Sequence, residues 1–114
     1  FEVIEGIRPM DLLLEGTDTN LVSFELDLYW IIKAGADPLE YIKKYPNRFP
    51  LWHIKDMGND GSMRDVGEGI IDFEEIFKLK ELSGLKHYYV EHDNPPDSLM
   101  TAANSFDALL KLNI

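Results

Sequence analysis

The sequence predicts an α/β fold, specifically the C-terminal portion of a (β/α)8 TIM barrel: about three βα units with parallel strands and helices on one face. Three observations carry this. Short apolar runs at 21–27, 49–56 and 87–93 are each followed by a helical pattern. Crossovers between parallel strands are almost always right-handed, so three adjacent strands in sequence order put their helices on one side. The other side then stays open and carries polar residues, whereas a parallel sheet normally has both faces covered. Three strands cannot close a barrel. The economical reading is a run of units from an eight-unit barrel.

Residues 1–5 read as the end of a strand or an extended arm, broken by Gly6. Pro9 suits the first turn of a helix reaching about residue 16, with Met10, Leu12, Leu13 and Leu14 as its apolar patch. Thr17-Asp18-Thr19-Asn20 is a turn cluster. The first strand spans 21–28: Val22, Phe24, Leu26 and Leu28 face one way, Ser23, Glu25 and Asp27 the other. Residues 29–35 read as a loop or a first helical turn. Asp37 and Pro38 start a helix as N-cap and first residue, Leu39, Tyr41, Ile42 and Tyr45 give it an apolar side, and Pro46 stops it.

The second strand spans 49–55, with Pro50 at its start, where a missing amide is tolerated. A loop with Gly58, Gly61, Gly67 and Gly69 covers 56–70, long enough to read as functional or mobile. Asp72 caps a helix carrying Phe73, Ile76, Phe77 and Leu79, and Gly84 closes it. The third strand spans 86–91. A turn at 94–97 leads into a last helix over about 98–112, where Leu99, Ala102, Ala103, Phe106, Leu109 and Leu110 fall at helical spacing.

Of the 114 residues, 45% are apolar and 11% aromatic, which supports a packed core rather than disorder. The 21 acids against 11 bases give a net charge of −10 with no basic stripe, so nucleic acid is not an expected partner. Cysteine is absent, which excludes disulfides, thiolate zinc sites and cysteine nucleophiles. No apolar run approaches the roughly 20 residues of a membrane span, and no signal peptide is visible. The chain opens on Phe1 rather than Met and reads as a piece of a longer protein. The compartment is left open, with the cytoplasm favoured, and homo-oligomerisation is also left open.

In a parallel α/β sheet the C-terminal ends of the strands open on one side. Asp27, His53 and Glu91 would converge there as one imidazole and two carboxylates. Such a donor set suits a divalent metal ion: Mn²⁺, Mg²⁺ or Co²⁺, with Zn²⁺ also compatible. Asp56 and Asp93 are candidates for outer acceptors around that site or for loop caps. Lys55 either holds substrate or pairs with an acid. Tyr29, Trp30 and Trp52 could form an apolar wall beside the site. Glu68 reads as a turn surface residue, and His92 has no assigned role.

Glu25-Leu26-Asp27-Leu28-Tyr29-Trp30, Trp52-His53-Ile54-Lys55-Asp56-Met57, Val66-Gly67-Glu68-Gly69-Ile70-Ile71-Asp72-Phe73 and Val90-Glu91-His92-Asp93 together resemble the sugar phosphate isomerase/epimerase family. That family has the xylose isomerase-like TIM barrel. The resemblance covers essentially the whole chain and implies that 1–114 is a partial domain holding strands six to eight. It implies that Asp27, His53 and Glu91 are metal ligands, that Glu91 is also the proton-transfer base, and that Arg64 lies near the arginine contacting substrate oxygens. Several ketose epimerases have histidine where this chain has Trp30, so a polar contact to the sugar becomes stacking or a wall. A further ligand and a partner acid would lie before Phe1.

The implied chemistry is removal of a proton beside a carbonyl, with the ene-diolate charge stabilised by a divalent cation and Glu91 taking the proton. The substrate would be a small sugar or sugar phosphate, its C–H faces against the wall of Tyr29, Trp30 and Trp52. Two further enzyme readings share the barrel: an inosose-type dehydratase, and a metal-dependent nuclease, which the net charge and the scarcity of ligand-type histidines oppose. A catalytically incomplete fragment is the non-enzyme reading. The exposed lumen face and strand edge predict marginal stability or self-association of the chain alone.

Overall fold

The computed structural model describes residues 1–112 and 114. It shows the mixed α/β architecture expected of a barrel portion, with β1 (Glu25–Asp27), β2 (Leu51–Ile54) and β5 (His87–Val90) forming a parallel sheet in the order β1-β2-β5. The register aligns Asp27 with His53, and His53 with Tyr89. Glu91 follows directly, its amide donating to the Ile54 carbonyl at 3.1 Å. Side chains alternate across the strands. Leu26, Trp52 and Ile54 point into the core and are wholly buried. Glu25, Asp27, His53 and Glu91 fall in the opposite phase and remain partly or well exposed.

Four of the described helices begin where the sequence supplies a side-chain oxygen for the free amides. In α2 (Leu28–Lys33) that oxygen is the Asp27 carboxylate; in α3 (Pro38–Lys44) it is Asp37, followed by Pro38. Asp72 caps α4 (Phe73–Phe77), and Asp97 caps α6 (Ser98–Lys111) through the amides of Leu99 and Met100. α1 (Pro9–Gly16) relies on proline at its start instead. Its last turn is held by the buried Arg48, which donates to the Leu14 carbonyl and to Thr17 Oγ1, both at 2.8 Å.

Trp52 is the largest fully buried side chain. Burying a large apolar side chain stabilises by about 1.5–3 kcal/mol. Its ring lies 5.3 Å from that of Phe77, edge-on, and its indole N–H donates to Ser83 Oγ at 3.0 Å. Ser83 in turn donates to the Phe49 carbonyl at 2.8 Å. That chain of bonds fixes α5 (Lys80–Ser83) against β2. The expectation that Tyr29 and Trp52 line a sugar wall is therefore corrected. Both are core side chains, and Trp30, 46% exposed, is the member of the trio that faces solvent.

Several elements differ from expectation. The first strand is shorter than 21–28, because the Asp27 carboxylate binds the Trp30 amide and starts a helix at once. The helix expected over 72–84 is two, α4 and α5. At the break the Leu79 amide takes a tighter bond to the Ile76 carbonyl, and Gly84 then ends α5 with φ 74°, a left-handed conformation suited to glycine. The loop at 56–70 contains an antiparallel hairpin of β3 (Asp56–Met57) and β4 (Met63–Arg64). In α6 the buried residues are Thr101 and Ser105, while Leu99, Phe106 and Leu110 are exposed. Polar bonds set this orientation: the Val66 amide donates to Ser105 Oγ at 3.1 Å, and Asn104 Nδ2 to Asp65 at 3.0 Å. Among the described residues, no helix is long and apolar enough to cross a membrane.

Candidate metal centre

The parallel register brings Asp27, His53 and Glu91 to one spot, with one donor atom from each within 4.8 Å of the others. His53 Nδ1 lies 3.3 Å from Asp27 Oδ2 and 3.1 Å from Glu91 Oε2. Asp27 is oriented by its own helix, since Oδ1 accepts the Trp30 amide at 2.9 Å and Oδ2 is left toward the site. The other ring nitrogen, His53 Nε2, lies 3.1 Å from Glu25 Oε1. A carboxylate on the second nitrogen fixes the orientation of a ligating imidazole. Glu25 had no assigned role on sequence, although strand alternation already put it on the same face as Asp27.

Lys55 enters the same cluster. Its side chain is 3% exposed, and Nζ lies 3.3 Å from Asp27 Oδ2, 3.2 Å from Glu91 Oε2 and 3.3 Å from Asp93 Oδ2. Burial works against its charge, but the charge of Asp27 and the hydrogen bonds that Lys55 donates to Glu91, Asp93 and Asp27 prevail and raise its pKa above the ordinary lysine value. Of the two readings of Lys55, pairing with acids is the one the geometry displays. Asp93 serves Lys55 rather than His53.

Asp56 is a loop cap. Its carboxylate, 1% exposed, accepts the amides of Met57, Gly67, Gly69 and Ile71 at 2.7–3.2 Å. It thereby ties the far end of the hairpin loop back to the strand end that carries His53. A second tie runs from α2: Tyr29 Oη and Lys33 Nζ both donate to the Gly61 carbonyl, at 2.8 and 2.6 Å.

Arg64 is not drawn into the Asp27–His53–Glu91 cluster. It lies on β4, bonded to Asp60 Oδ2 at 3.2 Å, and lines a cavity of ≈ 390 Å³ with Glu68, His92 and Asn104 among its neighbours. His92 pairs there with Asp65, Nδ1 to Oδ1 at 3.1 Å. Glu68 is exposed, as a turn surface residue should be.

The donor set fits a divalent cation. One imidazole nitrogen and two carboxylate oxygens converge, and the same oxygens already attract a buried ammonium, so the spot favours positive charge. No model of a known protein family matches the chain. A solved sugar phosphate isomerase/epimerase from Parabacteroides distasonis superposes on 95% of it with a TM-score of 0.75 and 37% sequence identity. Over nearly its whole length the chain is thus similar to a sugar phosphate isomerase/epimerase. A second such structure from the same organism covers 91% of the chain at TM-score 0.73 and 34% identity. Curated relatives in this xylose isomerase-like superfamily are inosose dehydratases. The protein of that name from Clostridium perfringens (strain ATCC 13124) is 31% identical over 82% of the chain, and that from Clostridium beijerinckii is 29% identical over 95%. The chain spans 38% of the Parabacteroides chains and of the C. perfringens protein, and 41% of the C. beijerinckii protein.

Proposed function

We propose that this chain forms the metal-binding strand ends of a sugar or sugar phosphate isomerase/epimerase, with Glu91 removing a proton from the carbon beside a carbonyl. The observation that carries the reading is the meeting of Asp27, His53 and Glu91 from three strand ends far apart in sequence. In this reading 1–114 is the part of the barrel holding strands six to eight. A divalent cation held by those three residues, Mn²⁺, Mg²⁺ or Co²⁺ with Zn²⁺ also compatible, would supply Lewis-acid polarisation of the carbonyl and adjacent hydroxyl oxygens.

The chain's own residues do the rest. Glu91 Oε2 is engaged by His53 and Lys55, and Oε1 is the proposed proton acceptor. Its side chain is 39% exposed, open to a substrate arriving from the strand ends. Asp27 and His53 are held in place by the Trp30 amide and by Glu25. Trp30 offers an exposed ring in α2, three residues after Asp27, as a surface for sugar C–H faces, Arg64 a guanidinium from the hairpin, and Lys55 an ammonium from the cluster.

A second reading is dehydration of an inosose-type substrate. It is favoured by the names of the curated relatives. The proton abstraction is the same, but hydroxide then leaves from the β-carbon instead of a proton returning. Product analysis distinguishes the two.

The test is calorimetry of Mn²⁺ and Zn²⁺ binding to the protein that carries this chain, with His53→Ala and Glu91→Ala alongside. Both substitutions should abolish binding. Glu91→Gln should also stop exchange of the substrate's α-hydrogen with solvent deuterium across a panel of sugars and sugar phosphates. Unchanged metal affinity in either alanine variant refutes the assignment.

A further inference from the structure

The oxygens that would hold the metal already hold a cation. Lys55 Nζ contacts Asp27 Oδ2 and Glu91 Oε2, the same two atoms that approach His53 Nδ1. Its third partner, Asp93, lies outside the ligand triad and is 48% exposed at the rim. An ammonium has three N–H donors, and here three carboxylates face it. A divalent ion and an ammonium on the same two oxygens repel one another.

We propose that Lys55 is a resident counter-cation that metal must displace: it holds Asp27 and Glu91 together in the metal-free protein and withdraws to Asp93 when the metal enters. Metal binding at this site is then an exchange of cations, not an addition. The proposal rests on the reading of Asp27, His53 and Glu91 as metal ligands. Two consequences follow from the charges alone. The site stays assembled without metal, because its carboxylates are neutralised rather than left to repel. Affinity is also held below what the three ligands could give, because every entering ion works against Lys55. Withdrawal to Asp93 releases two of the three ammonium donors, and those are what Lys55 has to offer to substrate oxygens.

The experiment is Mn²⁺ calorimetry on the metal-stripped protein that carries this chain, comparing the parent with Lys55→Met and Lys55→Arg. Lys55→Met should bind Mn²⁺ about tenfold more tightly, and Lys55→Arg, which keeps the charge, should not. Without metal, Lys55→Met should melt below the parent, and its rise in Tm on adding Mn²⁺ should be the larger of the two. Unchanged or weaker Mn²⁺ binding in a folded Lys55→Met protein overturns the proposal. If that variant does not fold, Lys55→Gln keeps a hydrogen-bond donor without the charge, and the same tightening is expected of it. A variant-free arm follows the Lys55 side-chain NMR resonance during a Mg²⁺ titration. It should move with the midpoint of metal binding, and a resonance that stays still while metal binds overturns the proposal. A parent that binds no metal is a different failure: it removes the metal reading itself.

Discussion

Asp65 is held by three groups at once. Burial pushes its carboxyl up, but hydrogen bonds from Asn104, His92 and Thr101 outweigh that and leave it below the ordinary aspartate value. A carboxyl that is more acidic folded than unfolded adds stability above its unfolded pKa. That contribution disappears as pH falls through the folded value. Asp65→Asn should therefore lower stability at neutral pH by about 1–3 kcal/mol, and the gap to the parent should close below about pH 4. Urea melts at both pH values read this out, and a gap that widens in acid contradicts it. The residues of the candidate metal site were partly legible in the sequence. Asp27, His53 and Glu91 stood out as polar groups ending apolar runs. Strand alternation also marked Glu25, Lys55 and Asp93 as sharing their face, since each lies two residues from one of those three. It could not say that these charges touch. That depends on the register setting Asp27 opposite His53, which no local pattern encodes.

At the scale of elements, the loop after β2 is organised by one carboxylate. Gly69 is where this matters most. A Cβ there would lie 2.2 Å from Asp56 Oδ1 and 2.5 Å from the Met57 carbonyl oxygen, so the backbone would have to move. Gly69→Ala should destabilise by about 1–3 kcal/mol, the usual cost of forcing atoms into a packed site. Gly16→Ala makes the control, because nothing lies within 4 Å of its Cβ and α1 gains a better helix former. Thermal melts of the two should separate clearly, and equal Tm values would show that Asp56 does not confine the loop. The glycines announced an irregular loop in the sequence but not its hairpin. A carboxylate gathering four amides from as far as Ile71 is a long-range contact. The last helix misled for a related reason. Its apolar spacing pointed to one buried face, yet the hydrogen bonds that Ser105 accepts from the Val66 amide and Asn104 donates to Asp65 seat the polar side inward.

The whole molecule leaves much apolar surface uncovered. Every residue of β5 is exposed, including Tyr88, Tyr89 and Val90, and so are Leu99, Met100, Phe106 and Leu110 of α6. An edge strand with free backbone groups beside such a surface pairs readily with another chain. The 114-residue chain produced alone should therefore self-associate or melt without cooperativity. Sedimentation over a concentration series checks this, and a cooperative, concentration-independent monomer melt contradicts it. The barrel portion was legible at this scale, because strand–helix alternation and right-handed crossovers leave few other arrangements. The two tryptophans carry a practical consequence. Trp52 is sealed between β2 and the helices, while Trp30 stands in solvent with its own amide on Asp27. A collisional quencher reaches Trp30 and not Trp52. The quenchable, red-shifted emission therefore reports the strand ends, and the protected blue emission reports whether the layer behind them is intact.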